Sequence, residues 1–459
     1  MEKITKTLRD SKTARWTALA VVAFTMLCGY YLTDVMAPLK PLLEKELLWN
    51  SAEYGFFTSA YGWFNVFLLM LLFGGIILDK MGVRFTGVMA TSIMVFGTAI
   101  KYWAISTHSL DGHTLLGMKS QVVIAGLGFA TFGVGVEVAG ITVSKIIVKW
   151  FKGKEMALAM GLEMATARLG TALAMTTSIP IARALHGVSK PVLVCLIMLC
   201  IGMISFIVYT FMDKKLEKSV AAAGISDNGE SEESFQLKDI LYIIKNKGWW
   251  YIAILCVLFY SAVFPFIKYA TDLMVNKFHV DEDLAGIIPG LLPFGTILLT
   301  PLFGNLYDRK GKGATIMIIG ALLLIFVHSM YSIPFLKATP IAIILIIILG
   351  IGFSLVPSAM WPSVPKIIPE KQLGTAYALI FLVQNVGLML VPLLIGWVLN
   401  KYCITGTRLL DGVEVSNYNY TLPMIIFTSF GILALVFAFL LKAEDKKKGY
   451  GLELPNIKK

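Results

Sequence analysis

The chain is poor in charge. Only 15% of its 459 residues are Asp, Glu, Lys or Arg, where soluble domains carry about 25%. It is poor in cysteine as well. Cys28, Cys195, Cys200, Cys256 and Cys403 form no CxxC pair, which argues against a disulfide framework or zinc site and for small apolar packing residues. The five histidines are scattered through the chain, and GxSxG, P-loop and HExxH patterns are missing. These absences exclude the common hydrolase and nucleotide-driven chemistries. The chain is therefore not read as an enzyme, and no cofactor or metal is expected.

What it has is apolar surface. Hydrophobic residues make up 57% and the mean hydropathy is +0.75. No soluble core can hide that much; a bilayer can, because there the outer face is apolar too. A helical span needs roughly 20 mostly apolar residues, and twelve such runs occur: 16–37, 55–78, 85–105, 116–144, 155–182, 191–212, 249–270, 284–306, 313–334, 339–363, 373–400 and 421–442. The expected fold class is an all-α membrane protein of twelve transmembrane helices.

The net charge of +11 would suggest nucleic acid in a soluble protein, but no basic stripe interleaves with aromatics. Threading the spans puts 28 of the 40 Lys and Arg on the side of both termini and 11 on the other, leaving Arg168 inside a span. That bias places both termini in the cytoplasm. The basic tail with Lys3, Lys6, Arg9, Lys12 and Arg15 leads straight into a full-length span, so no cleavable signal peptide is expected.

Residues 213–248 are long and polar, centred on Ser226–Ser234. They read as a cytoplasmic linker, with a short helix over 235–245, between a six-helix unit at 1–212 and another at 249–459. The halves look like repeats. Gly75, Asp79, Lys80, Gly82 and Arg84 after span two match Gly304, Asp308, Arg309, Gly311 and Lys312 after span eight. Small Gly residues let helices approach, and an Asp at a helix end can pair with nearby cations or a helix N-terminus. A second match, Lys154–Gly161 with Glu370–Tyr377, puts Arg168 opposite Asn385 and Gly170 opposite Gly387. Parallel halves related by an axis along the membrane normal place a solute site near mid-membrane between them.

The paired Gly-xxx-Asp loops resemble the major facilitator superfamily, a fold of two pseudo-symmetric six-helix bundles. Other stretches resemble one branch, the lysosomal dipeptide transporters and their microbial relatives. These are Trp150–Glu155, Ala165–Gly170, Ala262–Ile267, Trp361-Pro, Pro369–Tyr377 and Gln384–Gly387. The resemblance implies a carrier whose span-four Glu and span-five Arg hold the two ends of a dipeptide. Glu137, fourteen residues before Phe151, and Arg168 occupy the matching positions. It further implies a role for Asp34, and an accessory subunit as in animal relatives, which no residue pattern here requires. The chain departs from the animal members at Glu163, where a neutral amide is expected. No N-terminal dileucine signal is seen, so a lysosomal address is not supported; the expected location is a bacterial inner membrane.

Physical reasoning reaches the same residues. A charge deep in a span costs about 2.5–3.5 kcal/mol on insertion scales, so it faces a cavity or a partner. Arg168 lies about 20 Å into its span, and its fork suits a carboxylate; the plain alternative is a permanent helix-locking pair with Glu137. Glu137 sits among glycines and suits a substrate ammonium or a proton. Glu163 is some 140° around the helix from Arg168, which favours a gate or interhelix ion pair, with proton coupling the sharper alternative. Tyr61, Asn65, Gln384, Asn385 and Trp361 are further cavity candidates, each equally open to plain packing. Asp34 reads as outer gate or solvated helix end. Asp79, Arg84, Asp308 and Arg309 are the loop gating candidates, and Lys268 with Asp272 reads as an i,i+4 pair. The function expected is secondary or facilitative transport of short peptides by alternating access. Its rivals are an organic-anion (dicarboxylate or phosphorylated solute) exchanger and a non-transporting receptor or scaffold on the same fold, with drug efflux disfavoured by the Glu/Arg pair.

Overall fold

A computed structural model describes residues 7–151, 154–222, 237–369 and 372–456. Among these residues fifteen α-helices run in order: α1 Lys12–Asp34, α2 Lys40–Glu46, α3 Ser51–Ser59, α4 Trp63–Phe67, α5 Met70–Ser106, α6 Ser120–Phe151, α7 Met156–Ala184, α8 Lys190–Ala222, α9 Leu237–Ile244, α10 Lys247–Phe278, α11 Ile287–Lys310, α12 Gly313–Ser332, α13 Thr339–Ile367, α14 Leu373–Tyr402 and α15 Thr421–Lys448. Two antiparallel hairpins complete the fold: β1 Thr114–Leu115 with β2 Met118–Lys119, and β3 Ile404–Leu410 with β4 Val413–Tyr418. Both lie at the end of the molecule opposite the start of α1 and the end of α15. We call the two ends the hairpin side and the terminus side.

Among the described residues, ten helices are long and apolar enough to cross a membrane. The two remaining runs deviate for visible reasons. Span two is broken into α3, a 3-10 turn, α4 and the start of α5, with Leu69 left-handed at φ 51°. It then joins span three through Gly82, whose φ of 74° suits glycine. Span five, α7, has 29 residues but is diluted by Glu163, Arg168 and several threonines. Span six continues as helix α8 to Ala222, ten residues beyond its expected end. The helix expected over 235–245 is present as α9; residues 223–236 lie outside the described residues, as do Glu370 and Lys371 of the second repeat match.

Local signals set the helix starts. Ser11 accepts the Ala14 N–H, Asn50 and Glu53 form a reciprocal capping box, and Asn246 accepts the Trp249 N–H. Helices α1, α5, α6, α7 and α8 pack together, and α10 to α15 pack together; α3 meets α14 and α7 meets α11 between these groups. The contact is close on the hairpin side. A Cβ added to Gly55 of α3 would lie 2.9 Å from the Gly396 Cα and 2.7 Å from the Pro392 carbonyl oxygen of α14, so only glycine allows this approach. The hydrogen bonds and ion pairs that join the groups, among the described residues, likewise lie on the hairpin side: Lys40–Asp272, Lys45–Asp411, Tyr54–Lys268, Lys268–Asp34, Arg183–Asp283 and Tyr418–Glu44.

Candidate functional site

Between the two groups lies a cavity of about 140 Å³, lined by Tyr30, Asp34, Tyr61, Glu137, Lys268 and Gln384 with apolar neighbours including Phe129 and Phe264. Typical ligand clefts hold roughly 300–1,000 Å³, so the space is small while the halves press together at its hairpin end.

Glu137 faces this cavity from the middle of α6. Its Oε1 accepts the Tyr61 hydroxyl at 2.7 Å, and among the described residues no cation pairs with it. The backbone around it is set by glycine: a Cβ on Gly133 would meet the Tyr61 carbonyl oxygen at 2.4 Å. That closeness holds the Tyr61 turn against α6 and aims its hydroxyl at the carboxylate.

Arg168 does not line the cavity directly. Its guanidinium lies over the rings of Phe264 at 5.6 Å and Phe353 at 4.9 Å, both in the other helix group, and Phe264 is part of the cavity wall. Among the described residues Arg168 makes no ion pair, so the alternative of a permanent lock to Glu137 is not what the molecule adopts. Aromatic faces attract a cation without neutralising it. Tyr30 and Asp34 line the same cavity as Glu137, and Phe264, which carries the Arg168 guanidinium on its ring, is part of the wall.

The other expected site residues divide. Gln384 lines the cavity, and its Oε1 accepts the Cys256 thiol at 3.5 Å. Asn385 is buried; its Nδ2 donates to the Phe381 carbonyl at 3.0 Å while its Oδ1 has no partner among the described residues. Asn65 is buried, and neither of its amide atoms has a partner among the described residues. Neither asparagine reaches the cavity. Trp361 stands away from it too, stacked on Phe381 with its Nε1 donating to the Tyr260 hydroxyl at 3.1 Å. Glu163 has no hydrogen bond or ion pair among the described residues, so the expected interhelix ion pair is not formed.

Asp34 is no solvated helix end. It is 5% exposed and accepts from the Lys268 ammonium at 2.6 Å and the Thr171 hydroxyl at 2.8 Å. Lys268 therefore does not pair with Asp272, as its i,i+4 spacing suggested; each finds a partner in the other helix group. Lys101 is fully buried at the hairpin end of α5. Its ammonium has no hydrogen-bond partner among the described residues and lies over Phe129 at 4.5 Å and Phe57 at 5.2 Å. The loop residues act within each group: Asp79 pairs with Lys145 at 2.8 Å, Arg84 with Glu217 at 2.7 Å, and Asp308 accepts the Asn456 amide at 2.8 Å. Arg309 is exposed.

Two helix groups around a central charged cavity, in a chain of membrane-length helices, define a multi-pass membrane transporter. Residues 19–392 and 270–455 match the Major Facilitator Superfamily, and the chain belongs to that family. It is similar to the lysosomal dipeptide transporter MFSD1 of Mus musculus, 28% identical over 405 residues covering 84% of this chain and 80% of the relative. The match to that transporter branch is in line with the motif resemblance. Solved structures agree in fold. A bacterial homologue of the human lysosomal transporter Spinster, inward-facing and unoccupied, aligns with a TM-score of 0.71 at 13% identity over 95% of this chain and 98% of its own. The Escherichia coli xylose transporter XylE aligns with a TM-score of 0.65 at 15% identity over 93% and 98%.

Proposed function

We propose that the chain carries dipeptides or other short peptides by alternating access, with the substrate ammonium at Glu137 and its carboxylate at Arg168. One observation carries this reading: the two opposite charges near the cavity are held by uncharged partners, Tyr61 for one and two phenylalanine rings for the other, so neither neutralises the other. A zwitterion with separated ends suits such a pair. The named activity of the mouse relative points the same way. Each half behaves as one bundle, 1–212 and 249–459, and the halves rock about the site. The Lys and Arg bias supports a cytoplasmic terminus side in a bacterial inner membrane. The arrangement described, closed on the hairpin side, is then inward-facing.

Lys268 gives the organic-anion reading a second cation at the cavity wall, but Asp34 at 2.6 Å occupies it. Glu163, without a partner among the described residues, is the candidate for proton coupling. Dipeptide uptake into proteoliposomes tests the main reading. Wild-type-like uptake by Arg168→Ala removes Arg168 from it, and competition by dicarboxylates but not dipeptides replaces it with the anion reading. Uptake that ignores pH in the wild type removes the coupling role of Glu163.

A further inference from the structure

The hairpin side of the interface holds a second charge cluster, which peptide binding does not use. Short helix α2 supplies Lys40 and Glu44 from one half. From the other come Asp272 of α10, Tyr418 of β4 and Tyr420 at the start of α15. The Lys40 ammonium donates to Asp272 Oδ2 at 2.9 Å and Glu44 Oε1 at 3.0 Å, and lies 4.3 Å over the Tyr418 ring. Lys40 and Asp272 are both 0% exposed and Glu44 is 7% exposed.

The cluster holds one cation and two carboxylates. They are not equally served. Asp272 accepts from Lys40 and from the Tyr420 hydroxyl on Oδ2, and from the Asn276 amide on Oδ1 at 3.0 Å. Glu44 receives everything on Oε1, from Lys40, from the Tyr418 hydroxyl at 2.6 Å and from Ser51 at 3.5 Å; its Oε2 is buried with no partner among the described residues. An uncompensated charge in a dry site costs several kcal/mol, so such a group takes its neutral form.

We propose that Glu44 takes up a proton as the hairpin side closes, so that acid on that side favours the closed arrangement. Burial pushes the Glu44 carboxyl above the ordinary carboxylate range; Lys40 opposes this, and Asp272 adds to it. When the halves part, Asp272 and Tyr418 leave with their half and Glu44 meets water beside Lys40, with a value near the ordinary ~4.3. The state with the higher value is favoured at low pH. The proton's contribution to closure is complete below about pH 4.3 and is lost as pH rises through the raised value of the closed state.

The surrounding titratable groups do not compete. Tyr54 of α3, Tyr269 of α10, Tyr418 and Tyr420 are phenols, neutral well below about pH 10. On α2 itself, Lys45 is paired with Asp411 and Glu46 accepts the Val188 N–H. The nearby Asp34–Lys268 pair balances one charge with one.

The inference rests on alternating access but on no particular substrate. Pulsed-EPR distances between spin labels on His113→Cys and Lys337→Cys, exposed on the hairpin side of opposite halves, report closure in nanodiscs. The closed-to-open ratio is expected to rise by up to about tenfold per pH unit as pH falls through the window. Glu44→Gln, a mimic of the protonated acid, removes the dependence and stays closed. Lys40→Met leaves two carboxylates without a cation and moves the transition to higher pH. Two distances whose ratio ignores pH overturn the proposal while leaving alternating access intact; a single distance at every pH counts against both. A pH dependence that survives Glu44→Gln but vanishes in Glu163→Gln overturns Glu44 as the proton site.

Discussion

Replace Asp34 by Asn and the Lys268 ammonium stays where it is, 13% exposed at the hairpin end of the cavity, with the Thr33 carbonyl still accepting from it. Its charge is then uncompensated. Removing one partner of a buried ion pair costs about 3–5 kcal/mol. That cost applies only while the halves are closed, because opening returns Lys268 to water. Taking the lower figure, the closed-to-open ratio falls by about a hundredfold, since each ~1.4 kcal/mol is tenfold. Lys268→Met strands Asp34 with the Thr171 hydroxyl alone and shifts the ratio the same way. The double variant removes both charges and should return to within about 1 kcal/mol of the wild type. The label pair on the hairpin side reads all four states of this cycle. Single variants that shift the ratio less than tenfold, or a double variant as open as the singles, would refute the pair as a gate.

Other consequences follow from particular contacts. Tyr61→Phe removes the 2.7 Å hydrogen bond to Glu137, a charge-assisted bond worth about 1.5–3 kcal/mol, so KM for dipeptide uptake should rise about tenfold or more; an unchanged KM removes Tyr61 from the site. Gly55→Leu places a side chain where even a Cβ meets the Pro392 carbonyl at 2.7 Å, so the labels should stay at the open distance and uptake should fail in a protein that still folds. Asp411, in the β3–β4 turn, is held by Lys45 and Arg183 down to about 2; this clasp favours closure above the ordinary carboxylate value and is lost only as pH falls through about 2. Asp411→Asn should therefore lower the closed population by the same factor at pH 5 and pH 8, and a pH-dependent effect would contradict that assignment.

The membrane spans were legible because a run of about 20 apolar residues has few homes outside a bilayer. Glu137 and Arg168 were legible as charges where charge is costly. What escaped was pairing across the halves. Asp34 and Lys268 are 234 residues apart, and Lys40 and Asp272 are 232 apart. Local spacing offered Lys268 an i,i+4 partner in Asp272, a contact worth a few tenths of a kcal/mol on an exposed helix. The fold instead offered each residue a buried partner of opposite sign. A signal was present: spans one and seven occupy equivalent places in the repeat, and their hairpin ends carry Asp34 in one and Lys268 in the other. The breaks in span two had no such signal, since nothing in Phe67-Leu68-Leu69 marks a left-handed residue.

The distribution of ion pairs also fits the proposed rocking of the two halves. On the terminus side the repeat loops spend their charge within a half. Asp79 holds Lys145 and Arg84 holds Glu217, so α5 is tied to α6 and α8. The C-terminal segment ties the second copy: Asn456 binds Asp308, and Glu453 caps α12 through the Thr315 N–H at 2.9 Å. These bonds stiffen each bundle and need not break when the bundles part. On the hairpin side the charges cross between halves and must be hydrated before that side opens. One set of pairs makes the bodies rigid, and the other sets the energy difference between their two arrangements. Changing Arg84 or Asp308 should therefore loosen a bundle, whereas changing Asp34, Lys40 or Glu44 should move an equilibrium between two intact ones.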